Sequence, residues 1–306
     1  MVFTPKRAKN WAAILLSVLI ASLLLRSAYA GDGEVFTAEE RAHWSLQPRL
    51  QPGLPLPASG QDTEWLANPV DAFIIARLWQ AGLRPAPQAD RRTLVRRLHF
   101  NLLGLPPSPQ VIEAFVNDPA PDAYERLVDC LLASPHYGEA WGQHWLDVVR
   151  YAESEGFEYD RHRAGAWRFR DYVIRSLNAD KPFDRFVLEQ IAGDELPANS
   201  NNEEDTKVAA GFHRLGPVRR NAGNTDVAFS RNEVLTEMTD AVGAAFLGLT
   251  VGCARCHDHM FDAIRQRDYY RLQAFLAATQ EHDIQIGDPE AVKHWNAEND
   301  AIQAEI

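Results

Sequence analysis

The chain has few sulfur-containing residues: its 306 residues include only three cysteines and three methionines. Small exported proteins that rely on disulfide bonds have many cysteines, usually in even number. The low, odd count therefore excludes a disulfide scaffold. Cys130 lies in a helical pattern with Leu127 and Leu131, which predicts a small buried side chain. Cys253 and Cys256 are close in sequence and need a separate explanation.

Basic residues are fewer than acidic residues, and sequence patterns typical of β-strands are rare. The chain has 31 Lys and Arg against 42 Asp and Glu, a net charge of −11. Nucleic acids and anionic membrane surfaces bind basic proteins, so we expect neither as a partner. Alternating apolar and polar residues and Asn-Gly turns are rare, which argues against an extended sheet.

Residues 1–30 have the pattern of a secretory signal peptide. Lys6, Arg7 and Lys9 form a basic start, residues 11–25 are mostly apolar, and Ala28-Tyr29-Ala30 is an A-x-A cleavage site. The alternative is an uncleaved anchor, but the apolar run is shorter than the roughly 20 residues of a spanning helix. We expect export to the periplasm or cell surface, with no stable membrane span after signal cleavage.

The rest of the chain is punctuated by helix start and stop signals, without an internal repeat. Helix-capping residues or prolines predict helices that start near Asn68, Asp90, Ser108, Pro121, Pro135, Ala166, Pro182, Thr206, Asn232, Gln266 and Pro289. The predicted fold is mostly α, an irregular multi-helix domain with short helices, long loops and no extended sheet. We expect an irregular N-terminal arm over residues 31–67, a helical domain over 68–280, and over 281–306 the start of a helical segment leading to a missing C-terminal region.

Cys253-Ala254-Arg255-Cys256-His257 is a C-x-x-C-H run, the spacing by which haem c is covalently attached. In a helical turn, residues three apart present their side chains on one side, where both sulfurs can reach the haem vinyl groups. The next residue, His257, can offer an imidazole nitrogen to the iron as proximal ligand. The motif and the signal peptide together favour haem c over the alternatives.

Two alternatives to haem remain open for this run. A divalent metal could bind both thiolates, or lie near His257, Asp258, His259 and Asp262, although zinc usually takes a second ligand pair that the chain lacks. The cysteines could instead form a C-x-x-C disulfide, but a thioredoxin-like motif belongs on a βαβ unit that is not predicted here.

The sixth ligand of a haem iron is left open by the sequence. Met238 is one candidate, whereas Met260 is too close to His257 to reach the opposite face. A vacant distal position would favour the binding of small ligands, whereas ligation by Met or His would favour electron transfer.

The chain resembles the secreted planctomycete-type cytochrome c-like family, in its central domain of unknown function. The resemblance covers roughly residues 43 to 280 and is carried by an ordered series of segments, among them Asn68-Pro69-Val70-Asp71-Ala72-Phe73-Ile74, Asn101-Leu102-Leu103-Gly104-Leu105-Pro106-Pro107, Leu132-Ala133-Ser134-Pro135-His136-Tyr137-Gly138, Trp167-Arg168-Phe169-Arg170-Asp171-Tyr172, and Gly252-Cys253-Ala254-Arg255-Cys256-His257-Asp258-His259. Relatives often have Lys and Pro where this chain has Met260 and Ala263, so the turn after the motif is expected to differ.

The resemblance implies an exported, mostly helical protein of cytochrome c type. It also implies a further C-terminal domain, because relatives commonly carry one. From the residues and the resemblance together we expect covalent haem at Cys253 and Cys256, with His257 on the iron. The expected role is electron transfer to a redox partner protein, or within a larger redox enzyme. The alternative function is an extracytoplasmic metal-binding or hydrolase-like module with a divalent metal near His257-Asp258-His259.

Overall fold

The computed structural model describes residues 36–55, 65–157, 159–197, 203–218, 227–284 and 288–305. The described residues contain no β-strand, and only one isolated bridge, between Ser154 and His162. The mostly α fold predicted from the sequence is therefore confirmed. The predicted signal peptide, residues 1–30, lies outside the described residues.

Twelve α-helices are present in the described residues. In chain order they are α1 Ala38–Ala42, α2 Pro69–Gln80, α3 Arg91–Leu103, α4 Pro109–Asn117, α5 Ala123–Leu132, α6 Pro135–Val148, α7 Ala166–Asn178, α8 Phe183–Ala192, α9 Glu203–Ala209, α10 Val227–Val242, α11 Gln266–Leu276 and α12 Pro289–Glu305. Shorter 3₁₀ segments are Trp44–Leu46, Gly193–Glu195, Ala210–Arg214 and Val251–Arg255, and residues Gly243–Leu247 form a π-helical turn.

Side-chain caps explain why several helices begin where they do. Asn68 accepts hydrogen bonds from the N–H groups of Val70 and Asp71, and Asp71 completes a capping box at the start of α2. Asp90 accepts the N–H of Thr93 at the start of α3. These caps use N–H groups that have no partner inside the first turn of a helix. The helix starts predicted at Asn68 and Asp90 are thus confirmed.

The chain divides into two units. One consists of residues 1–55 with 261–263, and the other of residues 56–260 with 264–306. The described part of the first unit contains α1, which Thr37 caps through a capping box with Glu40. The predicted irregular arm therefore includes a short helix, and residues 47–55 are non-helical.

The second unit has its main apolar core around α7, α8 and the 3₁₀ segment at residues 210–214. Tyr172 and Phe186 stack with ring centroids 5.8 Å apart, and Phe212 lies 5.0 Å from Phe246. Tyr172 and Phe212 are fully buried, and Met238 of α10 is only 2% exposed in the same core. Burial of these large side chains is the main favourable contribution to folding of this unit.

Helices α6 and α7 approach closely because α6 has glycine at the contact. A Cβ atom at Gly138 would lie 2.6 Å from the carbonyl oxygen of Ile174, so a larger residue does not fit there. The N–H of Gly138 instead donates to Asn178 Oδ1 at 2.8 Å.

Cys130 is exposed, so the prediction that it is buried was wrong. On α5 the side chains that pack inward are Ala123, Leu127 and Leu131. Successive helical residues are rotated by about 100°, which turns Cys130 away from that face.

No helix in the described part of the chain is both long enough and apolar enough to cross a membrane.

Candidate functional site

The C-x-x-C-H run follows a tight reversal of the chain after α10. The π-helical turn ends at Gly248, whose φ of 63° is left-handed, a conformation that glycine adopts without strain. The N–H of Leu249 then donates to the carbonyl of Gly243 at 3.0 Å. A Cβ atom at Gly243 would lie 2.7 Å from Val251 Cγ2, so the returning chain needs glycine at this contact.

Cys253 lies in the 3₁₀ segment Val251–Arg255, and Cys256 follows directly after that segment. The N–H of Cys256 donates to the carbonyl of Cys253 at 3.4 Å. A 3₁₀ helix has three residues per turn, so side chains at i and i+3 point in the same direction. Both thiols are free and exposed, whereas the intervening Ala254 is fully buried. The turn therefore presents two sulfurs to solvent on one side and packs its other side inward.

His257 follows immediately, and one of its ring nitrogens is already engaged. Nδ1 lies 2.7 Å from the backbone carbonyl oxygen of Asp258. Because a carbonyl only accepts hydrogen bonds, Nδ1 carries the proton and the lone pair of the neutral ring is on Nε2. A hydrogen bond of this kind fixes the tautomer of a metal-binding histidine and orients its ring. The imidazole is exposed beside the two thiols in sequence.

Helix α11 holds the motif in place through polar contacts. The side chains of Gln266 and Tyr270 both donate to the carbonyl of Arg255, each at 3.1 Å. The N–H of Gln266 donates to Asp258 Oδ1 at 2.9 Å, so this carboxylate serves the start of α11. These bonds tie the middle of the motif, and the residue that directly follows it, to α11.

The residues of the alternative divalent site are placed as follows. Asp258 contacts α11 as described, and the half-buried His259 donates its backbone N–H to the carbonyl of Ile264 at 2.8 Å. Asp262 belongs to the other unit of the chain. Among the described residues, no three His, Cys, Asp or Glu side chains come together in a group that could hold a metal ion. Met238, the candidate distal ligand, is buried in the main core.

A half-buried carboxylate beneath the motif was missed by the sequence analysis. Asp240 of α10 lies so close to Gly252 that a Cβ atom there would be 3.2–3.4 Å from its carboxylate atoms. Burial raises the pKa of Asp240, and nearby Tyr269 and Arg255 partly oppose this rise, while Glu237 adds to it. In the sequence, Asp240 directly precedes the apolar residues Ala241 and Val242, which are both buried in the core. This neighbourhood was the one sign in the sequence that the carboxylate is shielded from solvent.

The residues present fit a covalently attached haem in their chemistry. Two exposed, free thiols, three residues apart, match the two vinyl groups of haem, and the fixed imidazole matches the iron. Exposed apolar side chains flank the motif in sequence: Leu247 is 56% and Met260 77% exposed. Such side chains are available to contact a flat apolar ligand.

The family model described as PSCyt2, protein of unknown function (DUF1549), matches residues 69–281. Neither a curated protein nor a solved structure shows significant similarity to the chain.

Proposed function

The chain belongs to the PSCyt2 family, a planctomycete-type domain of unknown function, and we propose that it is an exported c-type cytochrome-like protein. In this proposal Cys253 and Cys256 hold haem c and His257 is the proximal ligand of its iron. The role is electron transfer, either to a redox partner protein or within a larger redox enzyme.

The two thiols would hold the haem by addition to the vinyl groups of the porphyrin. Each S–H would add across a vinyl C=C bond, so that a C–S bond would form, the π bond would be lost, and the hydrogen would pass from sulfur to carbon. The addition has no leaving group and needs no oxidant, but it requires both sulfurs as thiols. The free, exposed Cys253 and Cys256 meet that requirement.

His257 contributes the proximal nitrogen through its Nε2 lone pair, because Nδ1–H is bonded to the carbonyl of Asp258. That bond raises the basicity of the ring as well as fixing its orientation. When bound, the haem supplies an iron centre that accepts and returns one electron.

One observation carries the proposal: the 3₁₀ turn presents Cys253 and Cys256 in the same direction, and a tautomer-fixed His257 follows. A disulfide would use the two sulfurs and leave His257 without a role. A zinc site uses at least three protein ligands, and the described residues contain no group of three His, Cys, Asp or Glu side chains that could hold a metal ion. Haem c uses all three residues.

The test is a haem stain of the denatured protein after expression with its signal sequence in a host that assembles c-type cytochromes. We expect a stained band and a mass increased by one haem, because thioether bonds survive denaturation. Cys253→Ala and Cys256→Ala should reduce the bonds to one, and the double variant should not stain. Cys130→Ala is the matched control, since Cys130 is also exposed and free but lies on α5, and it should stain like the wild type.

A colourless wild-type protein with both sulfurs free, or joined to each other, would overturn the proposal. Metal found by elemental analysis in place of haem would favour the divalent alternative near Asp258, His259 and Asp262. Equal staining of the wild type and the double cysteine variant would show that the bound haem is not covalently attached at this motif.

A further inference from the structure

The two cysteines of the C-x-x-C-H run are held by different contacts, and apolar packing holds the first of them. Cys253 lies in sequence between Val251 and Ala254, which are 4% and 0% exposed and pack with Tyr269 in one apolar cluster. Packed interiors leave little room for movement, so the backbone on both sides of Cys253 is fixed.

Cys256 has no buried neighbour in sequence, because Arg255 before it and His257 after it are both exposed. Its N–H donates to the carbonyl of Cys253 at 3.4 Å. This distance is longer than the roughly 2.7–3.2 Å that is typical of N–H···O hydrogen bonds. The 3₁₀ turn by itself therefore holds the second cysteine only weakly.

The carbonyl of Arg255 supplies the missing anchor. It accepts two hydrogen bonds from α11, one from Gln266 Nε2 and one from Tyr270 Oη, each at 3.1 Å. A carbonyl oxygen has two lone pairs, so the two donors can occupy both. This carbonyl belongs to the same planar peptide group as the N–H of Cys256, so fixing its direction also fixes how the chain enters Cys256.

The two donors are held by α11 but lie outside the apolar core. Gln266 and Tyr270 are four residues apart, so they share one face of the helix. The ring of Tyr270 meets the ring of the buried Tyr269 edge to face, with centroids 5.5 Å apart. Tyr270 is nevertheless 46% exposed, and Gln266 is exposed as well. Loss of either donor should therefore release the Arg255 carbonyl without unfolding the domain.

We infer that Gln266 and Tyr270 are positioning residues for Cys256: their two hydrogen bonds to the Arg255 carbonyl keep the second sulfur on the same side of the turn as the first. Where it concerns haem, the inference rests on the proposed function, in which Cys256 forms one of the two thioether bonds. The placement of the two sulfurs is a property of the chain alone and can be measured without haem.

Phenylarsine oxide measures that placement in the reduced, haem-free protein. Its arsenic binds two thiols at once: the bond from arsenic to oxygen is replaced by two As–S bonds, and the oxygen leaves with the two thiol hydrogens as water. All proteins carry Cys130→Ala, so that only the motif supplies thiols. Tyr270→Phe keeps the ring and removes one donor, and Gln266→Met keeps the side-chain length and removes the other. We expect each variant to bind about fivefold more weakly and the double variant about thirtyfold, the effect of losing one or two ordinary hydrogen bonds.

Tyr124→Phe is the matched control for the loss of a hydroxyl. Tyr124 is 40% exposed, close to the 46% of Tyr270, but it lies on α5, so its variant should bind arsenic like the parent protein. Unchanged binding in the Gln266→Met/Tyr270→Phe double variant would overturn the inference. A loss of affinity that Tyr124→Phe shares would overturn it too.

Haem attachment gives a second readout, which a general loss of stability would not produce. Mass spectrometry of peptides from the haem-loaded protein gives the fraction of each cysteine that is in a thioether bond. The double variant should lose attachment at Cys256 and retain it at Cys253, whose backbone is held by packing. Equal losses at both cysteines would contradict a role specific to Cys256. A wild type without haem would refute the proposed function, and the arsenic measurement would then decide the inference alone.

Discussion

Replacing Glu189 with Gln should remove a large part of the stability of the fold. The Glu189 side chain is 0% exposed and accepts hydrogen bonds from Lys181 Nζ at 2.5 Å, Tyr172 Oη at 2.8 Å and Arg185 Nε at 2.7 Å. Lys181 is itself only 14% exposed, so the substitution leaves a nearly buried ammonium without the anion that it faces. Removal of one partner of a buried ion pair costs about 3–5 kcal/mol. Arg185 is 39% exposed and stays hydrated, so it adds little to that loss.

The expected loss is therefore about 3–5 kcal/mol, compared with a total stability of roughly 5–15 kcal/mol for a typical domain. Urea unfolding followed by circular dichroism measures it, with the m-value as a check that the unfolded state is unchanged. Glu113→Gln is the matched control, because Glu113 pairs with Arg92 at 2.8 Å but both side chains are more than half exposed. That pair should contribute about 0–1 kcal/mol. Equal losses in the two variants would refute the argument that burial makes the Glu189 carboxylate essential.

Two further predictions concern pH and close packing. Burial by itself would raise the pKa of Glu189, but hydrogen bonds from Lys181, Tyr172 and Arg185 outweigh it and leave the pKa below the ordinary 4.5. The stabilisation by the Glu189 carboxylate is complete above pH 4.5 and is lost as the pH falls through the lowered pKa. When Tm is measured from pH 7 downward, it should therefore fall more steeply in the wild type than in Glu189→Gln. Parallel curves for the two proteins would contradict this. Gly193→Ala should prevent normal folding, because the new Cβ would lie 2.0 Å from the carbonyl oxygen of Thr206. Gly165→Ala is the control: its new Cβ would have its nearest contact at 3.9 Å, so this variant should change Tm by less than about 2 °C.

Helix starts could be predicted from the sequence because their causes are local. Asn68, Asp90 and Ser134 each cap a helix by accepting N–H groups two or three residues ahead. Two starts differ from the prediction: the described part of α9 begins at Glu203 rather than near Thr206, and that of α10 begins at Val227 rather than near Asn232. Helix α1 was not predicted, since a five-residue helix gives almost no periodic pattern.

The geometry of the candidate site depended on long-range contacts that no local pattern shows. The spacing of Cys253 and Cys256 indicated that their side chains share one side. The 3₁₀ turn that carries these cysteines lies between the chain reversal at Gly248 and the contacts of its Arg255 carbonyl with Gln266 and Tyr270 of α11. The approach of Asp240 to Tyr269 joins residues of two helices, and a single sequence gives no signal for such a pairing.

The candidate site and the core are formed by different residues, which decides how variants of the site should be interpreted. Cys253, Cys256 and His257 are exposed, and none belongs to an apolar cluster of the described fold. The turn that carries them is instead held by Val251 and Ala254, which are buried with Tyr269. Exposed side chains away from packed contacts usually change stability by less than about 0.5 kcal/mol when replaced. Loss of haem from a cysteine variant would therefore report on attachment itself, because the fold does not depend on those sulfurs.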